Sequence, residues 1–172
     1  MKLNILILTF DLHKKKTRED KKNVGKYMPR VCAKIGDKTL IEMAIENALR
    51  LNAENILLYV YKNNIEYINN VLKRKPYSKL LTYMFSENLK FEEDHNLLVM
   101  PGNYPFLTVK TLLRMIGHNK NVKIDNNLFF LKSDSLHLFE KVNEMHVNKD
   151  FIVSGSELKK IEKEKDLSEY QK

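Results

Sequence analysis

The sequence contains few residues that cross-link a chain or break its helices and strands. Among its 172 residues it has one cysteine, no tryptophan, five glycines and four prolines. The single cysteine, Cys32, cannot form an intrachain disulfide, and without a second thiol or a suitably spaced histidine pair a structural zinc site is not expected. Internal repeats and Gly/Ser-rich or Pro-rich linkers are missing as well. We therefore predict one domain that folds without cross-links, with Cys32 as a buried structural thiol.

Long hydrophobic runs are also missing. The apolar start at residues 3–8 falls well short of the roughly 18 to 20 residues that span a bilayer, and it is too short for a signal-peptide core with its cleavage site. We therefore expect a cytoplasmic protein with no membrane partner. The net charge of +8 favours an anionic partner, such as a nucleotide, a sugar phosphate, a nucleic acid or an acidic protein surface.

Short apolar runs alternate with segments of helical spacing along the chain. The runs predict strands at 3–8, 56–61, 80–85, 97–100 and 128–131. The helical spacing predicts helices at 39–51, 65–73, 108–116 and 133–144, the first of them opened by a capping box of Thr39 and Glu42. Strands that alternate with helices indicate an α/β domain with a parallel sheet.

Two charged segments lie outside this alternation. Residues 13–30 are polar and basic and are predicted to form a long loop, either a clamp for a triphosphate or RNA or simply a solvated surface. The tail alternates glutamate and lysine, which is typical of a solvated helix or a frayed end. We predict one domain at 1–155 and a charged C-terminal helix or tail at 156–172.

Two motifs resemble those of a known family. Residues 28–42 read Met-Pro-Arg-Val-Cys-Ala-Lys-Ile-Gly-Asp-Lys-Thr-Leu-Ile-Glu, and residues 97–107 read Leu-Leu-Val-Met-Pro-Gly-Asn-Tyr-Pro-Phe-Leu. Both are similar to motifs of the sugar-1-phosphate nucleotidyltransferases, nearest to N-acetylglucosamine-1-phosphate uridyltransferase (UDP-N-acetylglucosamine pyrophosphorylase) domains. The resemblance covers about residues 2–150 with gaps. It implies a three-layer Rossmann-like (GT-A type) nucleotidyltransferase fold with a mostly parallel central sheet.

The resemblance also implies a reaction and a site. A sugar 1-phosphate would attack the α-phosphorus of a nucleoside triphosphate, with Mg²⁺ neutralising charge, and would yield a nucleotide sugar such as UDP-N-acetylglucosamine and pyrophosphate. The phosphates would contact Thr9, Lys14, Lys15, Arg18 and Arg30, with Arg18 and Arg30 also catalytic. The sugar would lie near Asn126 or Asn127, and the metal near Asn103 or Asp125.

The chain also departs from the family pattern, which leaves other functions open. The loop after the first strand has no glycine before Gly25, Asn103 stands where the family has a metal-binding aspartate, and residues 86–96 form a shortened segment. Asp11, Asp125 or Glu93 could supply the lost carboxylate. The alternatives are a pseudoenzyme that keeps the fold as a binding or scaffolding module with a protein partner, and a basic nucleic-acid-binding protein. The last ranks third because neither a recognition helix nor a stacking motif is evident.

Overall fold

A six-stranded sheet forms the centre of the protein. The computed structural model describes residues 2–13, 28–161 and 166. The strands of the sheet are β1 (Leu3–Leu8), β4 (Asn55–Tyr59), β5 (Leu81–Met84), β6 (Asn96–Pro101), β7 (Val122–Asp125) and β8 (Leu128–Leu131), and a separate short hairpin consists of β2 (Lys34–Ile35) and β3 (Lys38–Thr39). The strand order across the sheet is β5-β4-β1-β6-β8-β7.

Most of the sheet is parallel. β1 pairs in parallel with both β4 and β6, so that Ile5 lies beside Ile56 on one side and Leu98 on the other. All six residues of β1 are buried, as expected for a strand covered on both faces. β8 runs antiparallel to β6 and β7. The predicted α/β fold with a mostly parallel sheet is confirmed.

In the part of the chain that the structure describes, three α-helices follow from the predicted apolar stripes: α1 (Leu40–Leu49), α2 (Ile65–Leu72) and α3 (Val109–Gly117). Thr39 caps α1, since its Oγ1 accepts a hydrogen bond from Glu42 N at 3.2 Å. Thr108 caps α3 in the same way, accepting from Thr111 N at 3.2 Å. Within the described residues, each of these helices falls short of the length and apolar character that crossing a bilayer would require.

The segment Ser133–Glu144 is 3₁₀-helical with two breaks, at Ser135 and Lys141, where the sequence predicted one helix. Its apolar residues Leu136, Phe139 and Val142 recur every three positions. A 3₁₀ helix has three residues per turn, so this spacing places all three on one side, whereas an α-helix would spread them.

Helices and 3₁₀ turns cover the two faces of the sheet and complete three layers. Residues of α1, α2 and α3, including Ile45, Ile68 and Leu112, pack in one buried cluster with the sheet. On the opposite face Phe139 and Val142 pack in a second cluster with sheet residues. Burial of each such side chain contributes about 1.5–3 kcal/mol, which makes these clusters the main source of stability.

The described part of the C-terminal tail is attached to the domain through Ile161, although Lys159 and Lys160 before it are exposed. Ile161 is 2% exposed and contacts a small cluster that contains Ala33 and Leu40. Its N–H donates to the carbonyl oxygen of Asn103 at 3.0 Å. We call residues 157–161 the C-terminal strap. The predicted solvated helix or frayed end does not describe Ile161, which is buried, and it stays a prediction for the rest of the tail. The predicted domain boundary at residue 155 stays a prediction.

Candidate functional site at the carboxyl ends of β1 and β6

A cleft opens where β1 and β6 end. From β1 the chain proceeds to β4 on one side of the sheet, and it later returns to place β6 on the other side. Such a switch point leaves a crevice at the carboxyl ends of the strands, where α/β folds bind ligands. The cleft holds about 350 Å³, including space open to solvent. Its polar wall consists of Thr9, Asp11, Arg30, Asn103, Asn127 and Lys160, and the rest of Phe10, Val31, Pro101 and Tyr104.

Gly102 allows the two strand ends to approach closely. Its N–H donates to the carbonyl oxygen of Leu8 at 2.8 Å. A Cβ atom at this position would lie 2.8 Å from the same oxygen and 3.0 Å from Val31 Cγ1. Glycine is therefore required here by the packing of the turn after β6 against the end of β1.

Arg30 reaches the cleft from a short 3₁₀ turn, Arg30–Cys32. Val31 and Cys32 are buried and anchor this turn in the core. Burial, with a smaller contribution from Glu42, raises the pKa of the Cys32 thiol to about 12. The thiol thus stays protonated and holds the turn by packing, as the sequence predicted, while Arg30 is one of the residues that line the cleft.

Thr9 lies in the cleft wall, but its donors are already engaged. Both its backbone N–H, at 3.2 Å, and its hydroxyl, at 2.7 Å, donate to the carbonyl oxygen of Tyr59. These bonds extend the pairing of β1 with β4 by one residue. In this arrangement Thr9 offers a phosphate no donor, so its described role is to shape the cleft.

The turn between β7 and β8 forms the far wall. Asp125 is not part of the cleft surface: its Oδ2 accepts from the Tyr104 hydroxyl at 2.6 Å, and its Oδ1 accepts from Asn127 N at 2.8 Å. Asn127 Oδ1 in turn accepts from Leu12 N at 3.0 Å and ties the turn to the loop after β1. Asn126 belongs to the same turn but does not line the cleft. Both oxygens of Asp125 therefore serve to hold the wall together.

Asn103 is occupied by the C-terminal strap. Its side-chain nitrogen donates to the carbonyl oxygen of Ile161 at 3.0 Å, and Ile161 N donates back to the carbonyl oxygen of Asn103 at 3.0 Å. The only atom of this side chain that could ligate a metal is its neutral amide oxygen, which binds a divalent cation less firmly than a carboxylate.

The donor set does not fit a resident divalent cation. Among the described lining residues the one carboxylate is Asp11, whose Oδ1 accepts from His13 N at 3.2 Å, and the charged neighbours are the cations Arg30 and Lys160. Glu93 precedes β6 and so lies toward the opposite edge of the sheet, about 20 Å away for a six-residue strand. It cannot replace the missing aspartate.

A second group of acidic and imidazole side chains lies just before β6. Glu92, Asp94 and His95 have potential ligand atoms within 4.8 Å of one another. The imidazole Nδ1 of His95 lies 2.8 Å from Asp94 Oδ1 and 3.3 Å from Glu92 Oε2, and Asp94 also pairs with Lys2 at 3.5 Å. These side-chain contacts hold the start of β6 in place, and they explain why the three side chains lie together.

The predicted site residues are thus brought together in part. Thr9, Arg30, Asn103 and Asn127 line one cleft, and Asp125 lies behind it. Lys14, Lys15 and Arg18 fall outside the described residues. Phe10, Tyr104 and Lys160 also line the cleft and were not predicted as site residues from the sequence. For Lys160 the one available signal was Ile161, an isolated apolar residue in a charged tail.

Solved structures share the fold of this chain. A structure of 4-diphosphocytidyl-2C-methyl-D-erythritol synthase from Anaerococcus prevotii DSM 20548 matches with a TM-score of 0.62 at 15% identity, over 99% of this chain and 94% of that one. Rv0371c from Mycobacterium tuberculosis H37Rv matches with a TM-score of 0.54 at 13% identity, over 86% and 78%. A structure of Rv0371c in complex with manganese matches with a TM-score of 0.53 at 11% identity, over 87% and 79%.

These matches establish the architecture and nothing finer. No protein-family model and no curated protein sequence matches the chain. The fold is the three-layer nucleotidyltransferase fold that the sequence predicted. At identities of 11–15% the matches do not transfer residue roles or substrates.

Proposed function

We propose that the chain is a nucleotidyltransferase-like protein that binds the phosphates of a nucleotide in the cleft between the ends of β1 and β6. The observation that carries this proposal is the placement of Arg30 in a cleft at the switch point of a nucleotidyltransferase fold. A guanidinium there can bind phosphate oxygens with two parallel hydrogen bonds. Asn127 and Asn103 add polar groups to the same wall.

In the proposed reaction an acceptor phosphate oxygen forms a bond to the α-phosphorus of a nucleoside triphosphate. The bond from that phosphorus to the bridging oxygen of the β-phosphate breaks, and pyrophosphate leaves. Such a transfer depends on positioning and on charge stabilisation more than on an acid or a base. In this chain Arg30 would hold the phosphates, and the buried turn that carries it would keep the guanidinium in place.

Two pairs of nucleotide and acceptor are the first substrates to test. The motif at residues 28–42 favours UTP with N-acetylglucosamine 1-phosphate, and the fold match to a 4-diphosphocytidyl-2C-methyl-D-erythritol synthase favours CTP with 2-C-methyl-D-erythritol 4-phosphate. Mg²⁺ and Mn²⁺ belong in both tests, because one structure of this fold is a manganese complex.

A second candidate is a pseudoenzyme that keeps the fold to bind a ligand or a protein. It is favoured by the engagement of the Asn103 side-chain nitrogen with Ile161 and of the Asp125 carboxylate with Tyr104, since neither predicted metal ligand then presents a carboxylate to the cleft. Such a protein would bind a nucleotide, or the partner, without turnover.

A thermal-shift panel of the four nucleoside triphosphates, each with EDTA, Mg²⁺ or Mn²⁺, tests the proposal. A ligand at 100 times its Kd stabilises by about 2.7 kcal/mol, which is readily measured. A nucleotide that stabilises the protein then enters a pyrophosphate-release assay with each acceptor. Release supports transfer, binding without release supports the pseudoenzyme, and the lack of any shift in a folded sample refutes nucleotide binding.

A further inference from the structure

The C-terminal strap is fastened at its first residue to the start of α3. Glu157 Oε1 accepts hydrogen bonds from Thr108 N at 3.0 Å, from Thr108 Oγ1 at 2.6 Å and from Thr111 Oγ1 at 2.8 Å. Thr108 is the N-cap of α3, so the carboxylate lies where the helix dipole favours negative charge. This end of the strap is held by both hydrogen bonds and charge.

The strap is fastened again at its last described residue. Ile161 is 2% exposed and exchanges two hydrogen bonds with Asn103, one from its N–H and one to its carbonyl oxygen, each 3.0 Å long. Lys160 lies between the two fastenings, immediately before Ile161, and lines the cleft together with Arg30. The bonds of Glu157 and Ile161 therefore hold the backbone of Lys160 beside the cleft, and the side chain of Lys160 is exposed there.

The charges at the cleft favour an anion over a metal. Among the lining residues that the structure describes, Arg30 and Lys160 bring two positive charges, and Asp11 brings one negative charge. A divalent cation placed there would face two cations and one carboxylate. A phosphate group would instead meet a guanidinium and an ammonium, each able to form charge-assisted hydrogen bonds.

We infer that Lys160, carried to the cleft by the C-terminal strap, supplies the positive charge that a divalent cation supplies in metal-dependent transfer, so that phosphate binding here needs no metal. This inference rests on the proposed function. The strap completes the anion site from a segment far along the chain, and when the strap is detached Arg30 is the one cation left among the described lining residues. In this arrangement the side chain of Asn103 holds the strap through its hydrogen bond to Ile161, and it is not needed as a metal ligand.

The test uses inorganic pyrophosphate as the probe and isothermal titration calorimetry as the readout, in EDTA and again in Mg²⁺. The variants are Lys160→Gln, which removes the charge, and Lys160→Arg, which keeps it. Lys159→Gln is the matched control, because Lys159 is an exposed neighbouring lysine that does not line the cleft. Circular dichroism and thermal melting confirm that each variant is folded.

The inference predicts binding of pyrophosphate by the wild type in EDTA. Lys160→Gln should weaken this binding by about tenfold, as expected for the loss of one charge-assisted hydrogen bond. Lys160→Arg should stay within about threefold of the wild type, and Lys159→Gln should not differ from it.

Two negative results have different meanings. If pyrophosphate binds only with Mg²⁺, or if Lys160→Gln binds it as well as the wild type does, the inference is overturned while the proposed function stands. If neither pyrophosphate nor any nucleoside triphosphate binds with EDTA, Mg²⁺ or Mn²⁺, the proposed function fails and the inference fails with it.

Discussion

Asn103 and Ile161 bond to each other reciprocally: the Asn103 side-chain amide donates to the Ile161 carbonyl oxygen, and the Ile161 N–H donates to the Asn103 carbonyl oxygen, each at 3.0 Å. This pair joins the turn after β6 to a residue 58 positions later. The resemblance to nucleotidyltransferases implies a metal ligand at Asn103. In the structure the same residue fastens the strap that brings Lys160 to the cleft.

Asn103→Asp should destabilise the protein rather than restore a metal site. The carboxylate would face the Ile161 carbonyl oxygen, so a hydrogen bond would be replaced by repulsion between two acceptors. We expect a loss of about 1–3 kcal/mol in the free energy of unfolding, measured by urea denaturation. Asn103→Ala is the comparison, and it should cost less because it removes the donor without adding charge. An Asn103→Asp protein as stable as the wild type, with newly tight Mn²⁺ binding, would contradict this account.

Glu157→Gln should make the stability of the protein less sensitive to acid. Burial by itself raises the pKa of the Glu157 carboxyl, but the hydrogen bonds from Thr108 and Thr111, with the charge of Arg114, together lower it below the ordinary value of 4.5. A carboxyl whose folded pKa is depressed stabilises the fold above its unfolded pKa and loses that contribution as the pH falls through its folded pKa.

The measurement is the melting temperature of the wild type and of Glu157→Gln, stepwise from neutral pH to about pH 3. The wild type should be the more stable at neutral pH, and the difference should shrink as the pH falls below the unfolded pKa. A difference that stays constant over this range would show that the Glu157 carboxylate does not hold the strap.

Gly102→Ala should lower the stability by about 1–3 kcal/mol, since the new methyl group would lie 2.8 Å from Leu8 O and 3.0 Å from Val31 Cγ1. Gly117→Ala is a matched control, because nothing lies within 4 Å of a Cβ there and the position ends α3. It should be neutral, or stabilising by up to about 1 kcal/mol. Chemical denaturation of both variants measures the difference, and equal stabilities would mean that Gly102 is not needed for close approach.

Cys32 should be unreactive in the folded protein. Burial and the nearby Glu42 raise the pKa of its thiol to about 12, so almost no thiolate exists at neutral pH. Alkylation by iodoacetamide, followed by mass spectrometry, should be far slower in buffer than in urea. Equal rates in both solutions would place Cys32 at an accessible surface.

The elements that are determined by residues close together in the sequence could be predicted from it. α1 is an example, since the Thr39 hydroxyl caps the helix by accepting a hydrogen bond from Glu42 N, and the apolar stripe follows at helical spacing. β7 was not predicted because its second residue, Lys123, is buried. The ammonium of Lys123 donates hydrogen bonds to the carbonyl oxygens of Val142 and Met145. These acceptors lie about 20 residues farther along the chain, so the sequence around Lys123 does not reveal that its charge can be buried.

Residues of the candidate site were predicted only where they belong to one of the two motifs that resemble a known family. Arg30 and Asn103 were found from the resemblance of residues 28–42 and 97–107. Tyr104 and Lys160 were missed because their roles depend on contacts between distant segments, such as the bond from Tyr104 to Asp125. The sequence shows that Ile161 is an apolar residue in a charged tail, but it does not show that Ile161 packs against Ala33 and Leu40.

The most direct test of the central claim, that the cleft binds nucleotide phosphates through side chains, is a calorimetric titration of Arg30→Gln beside Arg50→Gln with the nucleoside triphosphate that binds the wild type. Arg30 lines the cleft, whereas Arg50 is exposed at the end of α1. The account predicts a loss of about tenfold or more in affinity for Arg30→Gln and wild-type affinity for Arg50→Gln. Equal affinities in all three proteins would contradict it and would place the nucleotide elsewhere.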